Sequence, residues 1–246
     1  GSFNTAMGVS ALDANISGAN NVSLGTYSLS ANTTASNNVA VGYSALNANT
    51  TGTANTAVGA SALDANTTGT ELTAVGKSAL SASTGSYNTA MGSGAMSNTT
   101  TATHNTAVGR IALSLNTTGA NNTAVGSRAL YATTTAGTNT AVGANALTTN
   151  TTGANNVAVG SSALYANTTG TQNVAIGTNT LDAMLTGSYN TAIGNGALSA
   201  NTSGPGNVAV GYNAMGTGTG SNGYNVALGM DSLAVNTAAN NIAVGF

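Results

Sequence analysis

The chain is nearly without charge and has no cysteine. Only eight of its 246 residues carry a full charge, against about a quarter in a typical soluble domain. Three basic side chains cannot neutralise a run of phosphates, so we expect no nucleic-acid partner. The absence of cysteine excludes a disulfide framework and a thiolate metal site. No apolar run approaches the ~20 residues that span a bilayer, so we expect no membrane insertion of this segment.

What the chain has instead is one short repeat. A glycine closes each Ala-hydrophobic-Gly step, and the fifteen glycines recur at a spacing of seventeen, with edits of one residue at three places. We number the repeat from the residue four places before this glycine, usually Asn, so that the glycine is position 5. Position 2 is Thr, Val or Ile, position 3 is Ala in every copy except Ser23, and position 4 is always Val, Ile, Leu or Met. This short β-branched pattern predicts a strand.

A second segment of the repeat reads Ala-Leu, as at Ala163-Leu164, and the regular copies continue into Asn-Thr-Thr-Gly. We interpret Ala-Leu as a second strand and Asn-Thr-Thr-Gly as a turn, because Asn and Gly tolerate the positive φ of tight corners. The many Thr, Asn and Gly residues are poor helix formers. The sequence therefore predicts an all-β parallel solenoid of about fifteen 17-residue coils, forming a single repeat domain over residues 1–246.

Stacked coils align identical positions in columns. The columns that we expect to build the structure include Ala40, Val41, Gly42 and Leu46 in one repeat, and Ala158, Val159, Gly160 and Leu164 in another. We expect stacked Val and Leu to fill a thin core, and stacked Asn and Thr to pass hydrogen bonds between coils. The Ala column is a candidate seam between neighbouring chains, or it lines the inside of the coil. The sequence does not choose between these two arrangements.

The run Asn155-Asn156-Val157-Ala158-Val159-Gly160 resembles the head repeat of trimeric autotransporter adhesins, which also recurs in phage tail fibres. The resemblance covers almost the whole chain. It implies a left-handed parallel β-roll, a homotrimer, and an extracellular place on a bacterial surface, in an outer-membrane-anchored fibre or in a virion tail fibre. Two features of this chain differ from that head repeat. Its period of seventeen is longer, and position 2 is Thr in copies such as Asn139-Thr140-Ala141-Val142-Gly143.

The chain has few side chains of the types that act in catalysis. His104 is the single imidazole, so a Ser-His-Asp arrangement has at most one centre. Asp13, Asp64 and Asp182 share one repeat position, but the nearest two are three coils apart, or roughly 14 Å at strand spacing. Paired glycosidase carboxylates are about 5 to 9.5 Å apart. We expect no enzymatic activity, no metal and no cofactor.

Lys77, Arg110 and Arg128 follow repeat glycines close to His104, while Tyr131 and Tyr165 lie further along on the second segment. Tyr and Arg are enriched where proteins bind partners, so these six residues are our candidate contact with a cell-surface glycan or protein receptor. Tyr87, Tyr189 and Tyr224 stand just before the strand of their repeats, and we interpret them as packing over the edge of the coil.

The expected function is a structural or adhesive fibre segment that associates with copies of itself, is stiff and displays receptor contacts. The alternative is an ice-binding solenoid, because Thr columns on a weakly charged face could order water. Against that alternative, the paired Thr lies in a corner, and Val often replaces the Thr of the strand. Thermal hysteresis separates the two hypotheses.

Overall fold

A computed structural model describes residues 1–217, 220–235 and 238–246, and the chain divides into two compact units, Gly1–Asn121 and Asn122–Phe246. Within the described residues every regular element is a three-residue β-strand, one in each repeat. The strands of the first unit are β1 (Thr5–Met7), β2 (Val22–Leu24), β3 (Val39–Val41), β4 (Thr56–Val58), β5 (Thr73–Val75), β6 (Thr89–Met91) and β7 (Thr106–Val108). Those of the second are β8 (Thr123–Val125), β9 (Thr140–Val142), β10 (Val157–Val159), β11 (Val174–Ile176), β12 (Thr191–Ile193), β13 (Val208–Val210), β14 (Val226–Leu228) and β15 (Ile242–Val244).

In each unit the strands pair in parallel and in chain order, with equivalent repeat positions side by side. Val157 of β10, for example, pairs with Thr140 of β9 and with Val174 of β11. Parallel neighbours separated by one repeat require that each repeat makes one full coil. The predicted all-β parallel solenoid with a 17-residue coil is therefore confirmed.

The predicted second strand at Ala-Leu is wrong. That segment runs as a series of turns, because the residues at positions 7 and 9 adopt left-handed backbone angles, as at Ser162 (φ 56°) and Leu164 (φ 51°). Its backbone still bonds to neighbouring coils: the Ser162 amide donates to the Ala144 carbonyl at 2.9 Å, and the Leu147 amide to the Ala163 carbonyl at 3.0 Å. The inter-coil bonding that we expected is present, but without a strand.

The Ala column lines the inside of the coil. Ala40 and Ala158 are completely buried, as are Leu46 and Leu164 from the segment across the interior. The one exception at position 3 shows what this position faces, since the Ser23 hydroxyl donates to the Ser28 carbonyl at 2.8 Å across the same coil. Of the two arrangements left open by the sequence, the structure has the inner one. Val41 and Val159 do not join this core, contrary to our expectation, because they project to the outer side of the strand and stay partly exposed.

Two columns of buried asparagine tie successive coils together. At position 1, the Asn156 side-chain oxygen accepts from the Asn173 amide at 3.0 Å, and its side-chain nitrogen donates to the Gly170 carbonyl at 2.8 Å. At position 12, the Asn167 side-chain nitrogen donates to Asn150 Oδ1 at 2.8 Å. A buried side-chain amide needs partners for both its N–H donors and its oxygen acceptor. Because the same asparagine recurs in each coil of a column, neighbouring coils supply these partners to one another.

The position-12 column also shows what happens when one member changes. Asn167 Oδ1 is buried without a hydrogen-bond partner, and the next coil carries Met184 at this position. The methionine side chain has no N–H to donate, so the series of hydrogen bonds between side-chain amides stops there.

The glycine at position 5 is required by both space and backbone angle. Gly143 has φ 138°, and a Cβ on it would lie 2.4 Å from the Gly160 carbonyl oxygen of the next coil. Coils can stack this closely only where no side chain stands between them.

Candidate functional site

The outward strand face of each unit, which we define as positions 2 and 4 of its repeats, is uncharged and partly exposed. Position 2 is Thr, Val or Ile and position 4 is Val, Ile, Leu or Met, with no charged residue at either. In the second unit the position-4 side chains that are 36 to 39% exposed are Val142, Ile176, Ile193, Val210 and Leu228. Because position 3 points inward, positions 2 and 4 necessarily point outward together. The result in each unit is an uncharged surface with a large apolar side chain at position 4 of every coil, of a type that is usually buried.

The candidate receptor residues of the first unit do not form one cluster. Lys77 and Arg110 are exposed at position 6, just after the strands of their coils. His104 is exposed at position 17, just before a strand, so the strand lies between it and the two cations. Its ring stacks on Tyr87, with the centroids 4.9 Å apart and the planes at 21°.

The Tyr87 contact is one that sequence reasoning missed, since we interpreted Tyr87 as edge packing. The signal was present: Tyr87 and His104 both occupy the last place of successive repeats, so stacking puts them side by side. A column-by-column alignment finds this pair, whereas the chemistry of single residues does not.

In the second unit, Arg128 and Tyr131 do come together. The Arg128 guanidinium lies 5.2 Å from the centroid of the Tyr131 ring, within the range of a cation–π contact. Tyr165 occupies the same position 10 two coils further on. Between them is Thr148, which is 3% exposed and donates its hydroxyl to the Arg128 carbonyl at 3.1 Å.

The tyrosines are without exception outside the core. Tyr131 is half-buried, and the other seven are 42 to 66% exposed, while the largest fully buried side chains are Leu and Met. The chain therefore builds its interior from Ala, Leu and Asn and keeps its aromatic area at the surface. Tyr is one of the residue types enriched among the side chains that anchor a bound partner.

The acidic residues at position 10 stand on separate coils. Desolvation by burial raises the pKa of Asp64 and of Asp182, partly offset by backbone hydrogen bonds and, at Asp64, by the Ser61 side chain. Asp13 and Asp64 remain three coils apart in the first unit, roughly 14 Å at strand spacing. Across the described part of the chain, no three His, Asp or Glu side chains lie where they could share a metal ion.

The Thr-Thr corner is partly engaged in holding coils together. At position 13 the Thr50 hydroxyl donates to the Thr67 carbonyl at 3.0 Å, and Thr151 makes the same bond to Thr168 at 2.9 Å. At position 14 the side chains stay exposed, as at Thr51 and Thr68. In the coils of Thr50 and Thr151, the corner thus has one bonded and one exposed Thr side chain.

Comparison with known families finds no family model and no curated protein that matches this chain. The residues that the structure describes include no helix that is long and apolar enough to cross a membrane.

Proposed function

We propose that this chain is a segment of a structural and adhesive fibre whose copies associate along the outward strand face. The observation that carries the proposal is the row of partly exposed Val, Ile, Leu and Met at position 4, with no charge at position 2 or 4. Parallel sheets occur almost only with both faces covered. In this chain the Ala side of the strands is covered by the coil itself, whereas the other side stays partly exposed in the part of the chain that the structure describes.

A second copy of the same chain is the partner that suits this face. Each coil repeats an uncharged pair, Thr, Val or Ile at position 2 and Val, Ile, Leu or Met at position 4, so two copies can match coil for coil. The resemblance to adhesin heads and phage tail fibres leads us to propose three copies and an extracellular place, on a bacterial surface or on a virion tail. The association leaves other columns at the fibre surface, where receptor contacts are displayed. The proposed role needs no catalytic step.

The test is the absolute mass in solution, measured by light scattering after size exclusion. We expect three times the chain mass of 23.5 kDa. The double substitution Val142→Asp with Val159→Asp places two carboxylates on adjacent coils of the outward strand face, and we expect it to give monomers. The matched control, Ala144→Asp with Ser161→Asp, places the same charges at exposed position 6 of the same coils and should keep the assembly. A wild-type monomer would contradict the proposal.

One observation favours ice binding as a second candidate. Thr51 and Thr53 flank the buried Gly52, and Thr68 and Thr70 flank the buried Gly69 on the next coil. In both coils, two Thr side chains therefore point outward on either side of a glycine that faces inward. Thermal hysteresis of the wild type, lost on Thr51→Leu with Thr68→Leu, would support that function. No hysteresis at millimolar protein would exclude it and leave the fibre proposal untouched.

A further inference from the structure

We propose that the second unit carries a binding ridge for an extended, neutral, β-linked glycan, formed by Arg128, Tyr131, Tyr165 and Asp182. This inference deepens the adhesive function proposed above by naming the chemistry of the receptor. We call these four residues the glycan ridge. Tyr131, Tyr165 and Asp182 occupy position 10 of their coils, and Arg128 precedes Tyr131 by three residues.

The glycan ridge stays accessible when copies associate. The Ser23–Ser28 bond of the first unit shows that the inner side of a strand faces position 8 across the coil. Position 10 follows on that same far segment, whereas the outward strand face lies on the other side of the strand. In the second unit, Ala158 and Leu164 fill the interior between these two sides. Covering the outward strand face with another copy therefore leaves position 10 in solvent.

The spacing of the two rings suits a polysaccharide. Tyr131 and Tyr165 are separated by two coils, or roughly 9.6 Å at parallel strand spacing. In an extended β-linked chain, alternate sugar rings present the same face at about this interval. Thr148, between the two tyrosines, is buried and its hydroxyl is already bonded, so it offers no competing polar group. At position 10 of these three coils, the side chains that reach solvent are those of the two tyrosines.

The polar groups stand at the two ends of the ridge. The Arg128 guanidinium is held against the Tyr131 ring and has five N–H donors for hydroxyl and ring oxygens. At the other end, the Asp182 carboxylate follows Tyr165 by one coil and accepts from hydroxyls. A sugar hydroxyl both donates and accepts, so a neutral glycan satisfies both ends. A polyanion would be repelled at Asp182.

The backbone under the ridge is fixed by bonds to neighbouring coils. The Ala132 amide donates to the Thr148 carbonyl at 2.9 Å, the Thr149 amide to the Tyr165 carbonyl at 3.2 Å, and the Ala166 amide to the Asp182 carbonyl at 3.0 Å. Each position-10 carbonyl of coils nine to eleven is thus an acceptor in the ladder. A ligand that spans three coils meets a surface that is already ordered, which lowers the entropic cost of binding.

The experiment is isothermal titration of the full chain with cellohexaose and chitohexaose, and with a hexamer of β-linked mannuronic acid as the acidic probe. We expect a neutral hexamer to bind, and each of Tyr131→Ala and Tyr165→Ala to weaken it about tenfold. Tyr131→Phe and Tyr165→Phe should retain binding, because the ring and not the hydroxyl makes the stack.

The matched control is the pair Tyr189→Asn with Tyr224→Asn. These tyrosines are also two coils apart in the second unit and are 65 and 66% exposed, but they stand at the end of the repeat without a flanking Arg and Asp. Asn is chosen because both residues have positive φ, which Asn tolerates. We expect this variant to bind like the wild type.

The proposal is overturned if neither neutral hexamer binds, if the acidic hexamer binds more tightly, or if the control pair matters as much as the ridge pair. Mass by light scattering, measured on the same samples, separates this inference from the proposed assembly. A trimer that binds no glycan overturns the glycan ridge alone, and a monomer that binds through the ridge overturns the assembly alone.

Discussion

Replacing Asn156 by Ala should remove one link of the position-1 asparagine column. The side chain is completely buried and makes three hydrogen bonds: from the Asn173 amide at 3.0 Å, to the Gly170 carbonyl at 2.8 Å and to Asn139 Oδ1 at 3.3 Å. The substitution leaves the buried Asn173 N–H without this acceptor, at about 1 to 3 kcal/mol, and loses two further bonds at about 0.5 to 1.5 kcal/mol each. The unfolding free energy should therefore fall by about 2 to 6 kcal/mol.

Urea unfolding followed by far-UV circular dichroism measures this loss, at one fixed chain concentration because association would also contribute. The control is Asn195→Ala, an exposed asparagine at position 6 of the second unit, for which we expect a change within about 0.5 kcal/mol. If Asn156→Ala changed stability no more than Asn195→Ala, the asparagine columns would not be what holds the coils in register, and our reasoning would be refuted.

Two further substitutions test the backbone and the acidic column. Gly143→Ala should lower the unfolding free energy by more than about 4 kcal/mol because its Cβ meets the next coil. Gly196→Ala, whose Cβ would lie 3.8 Å from Asn213 Oδ1, should lower it by about 1 to 2 kcal/mol because of its left-handed backbone angle. Equal melting temperatures of the two variants would contradict this. Burial raises the pKa of Asp64 in the folded state, so its ionisation opposes folding as pH rises through the folded pKa. Asp64→Asn should accordingly raise the melting temperature at pH 7, and the increase should disappear below the unfolded pKa of about 3.9. Asp13→Asn, at an exposed aspartate of the same repeat position, is the control. An increase in melting temperature that grew toward acid pH would contradict this prediction.

The period, the strands and the parallel stacking could be predicted because the repeat is strict. Seventeen residues between equivalent glycines fix the coil, and three short β-branched or small residues fix the strand. The inner column can also be assigned from the sequence, because only Ala and one Ser occur at position 3, as at Ala158 and Ser23, while position 4 always carries a larger side chain such as Val159. Small residues belong where a thin coil closes on itself.

The Ala-Leu segment could not be predicted as turns, because leucine is a poor candidate for positive φ. Leu164 adopts φ 51° because its side chain fills the interior and its amide donates to the Thr180 carbonyl of the next coil. Tertiary packing therefore overrides the local preference of leucine. The pairing of Tyr87 with His104 depends on which residues stack in neighbouring coils, and that information is in the repeat register. Arg128 and Tyr131 are three residues apart in one coil, and their contact depends on the turns of that segment.

Disulfide trapping with single introduced cysteines tests most directly whether copies of the chain meet at the outward strand face. The result is unambiguous because the parent chain has no cysteine of its own. Val159→Cys places the thiol on the outward strand face, and Thr169→Cys places it at the exposed corner of the same repeat. A disulfide forms only where two Cβ atoms approach to about 3.5 to 4.5 Å. The account predicts that mild oxidation links Val159→Cys chains into covalent dimers and leaves Thr169→Cys unlinked. Linking of Thr169→Cys with none at Val159→Cys would contradict the claim that copies of this chain meet at the outward strand face.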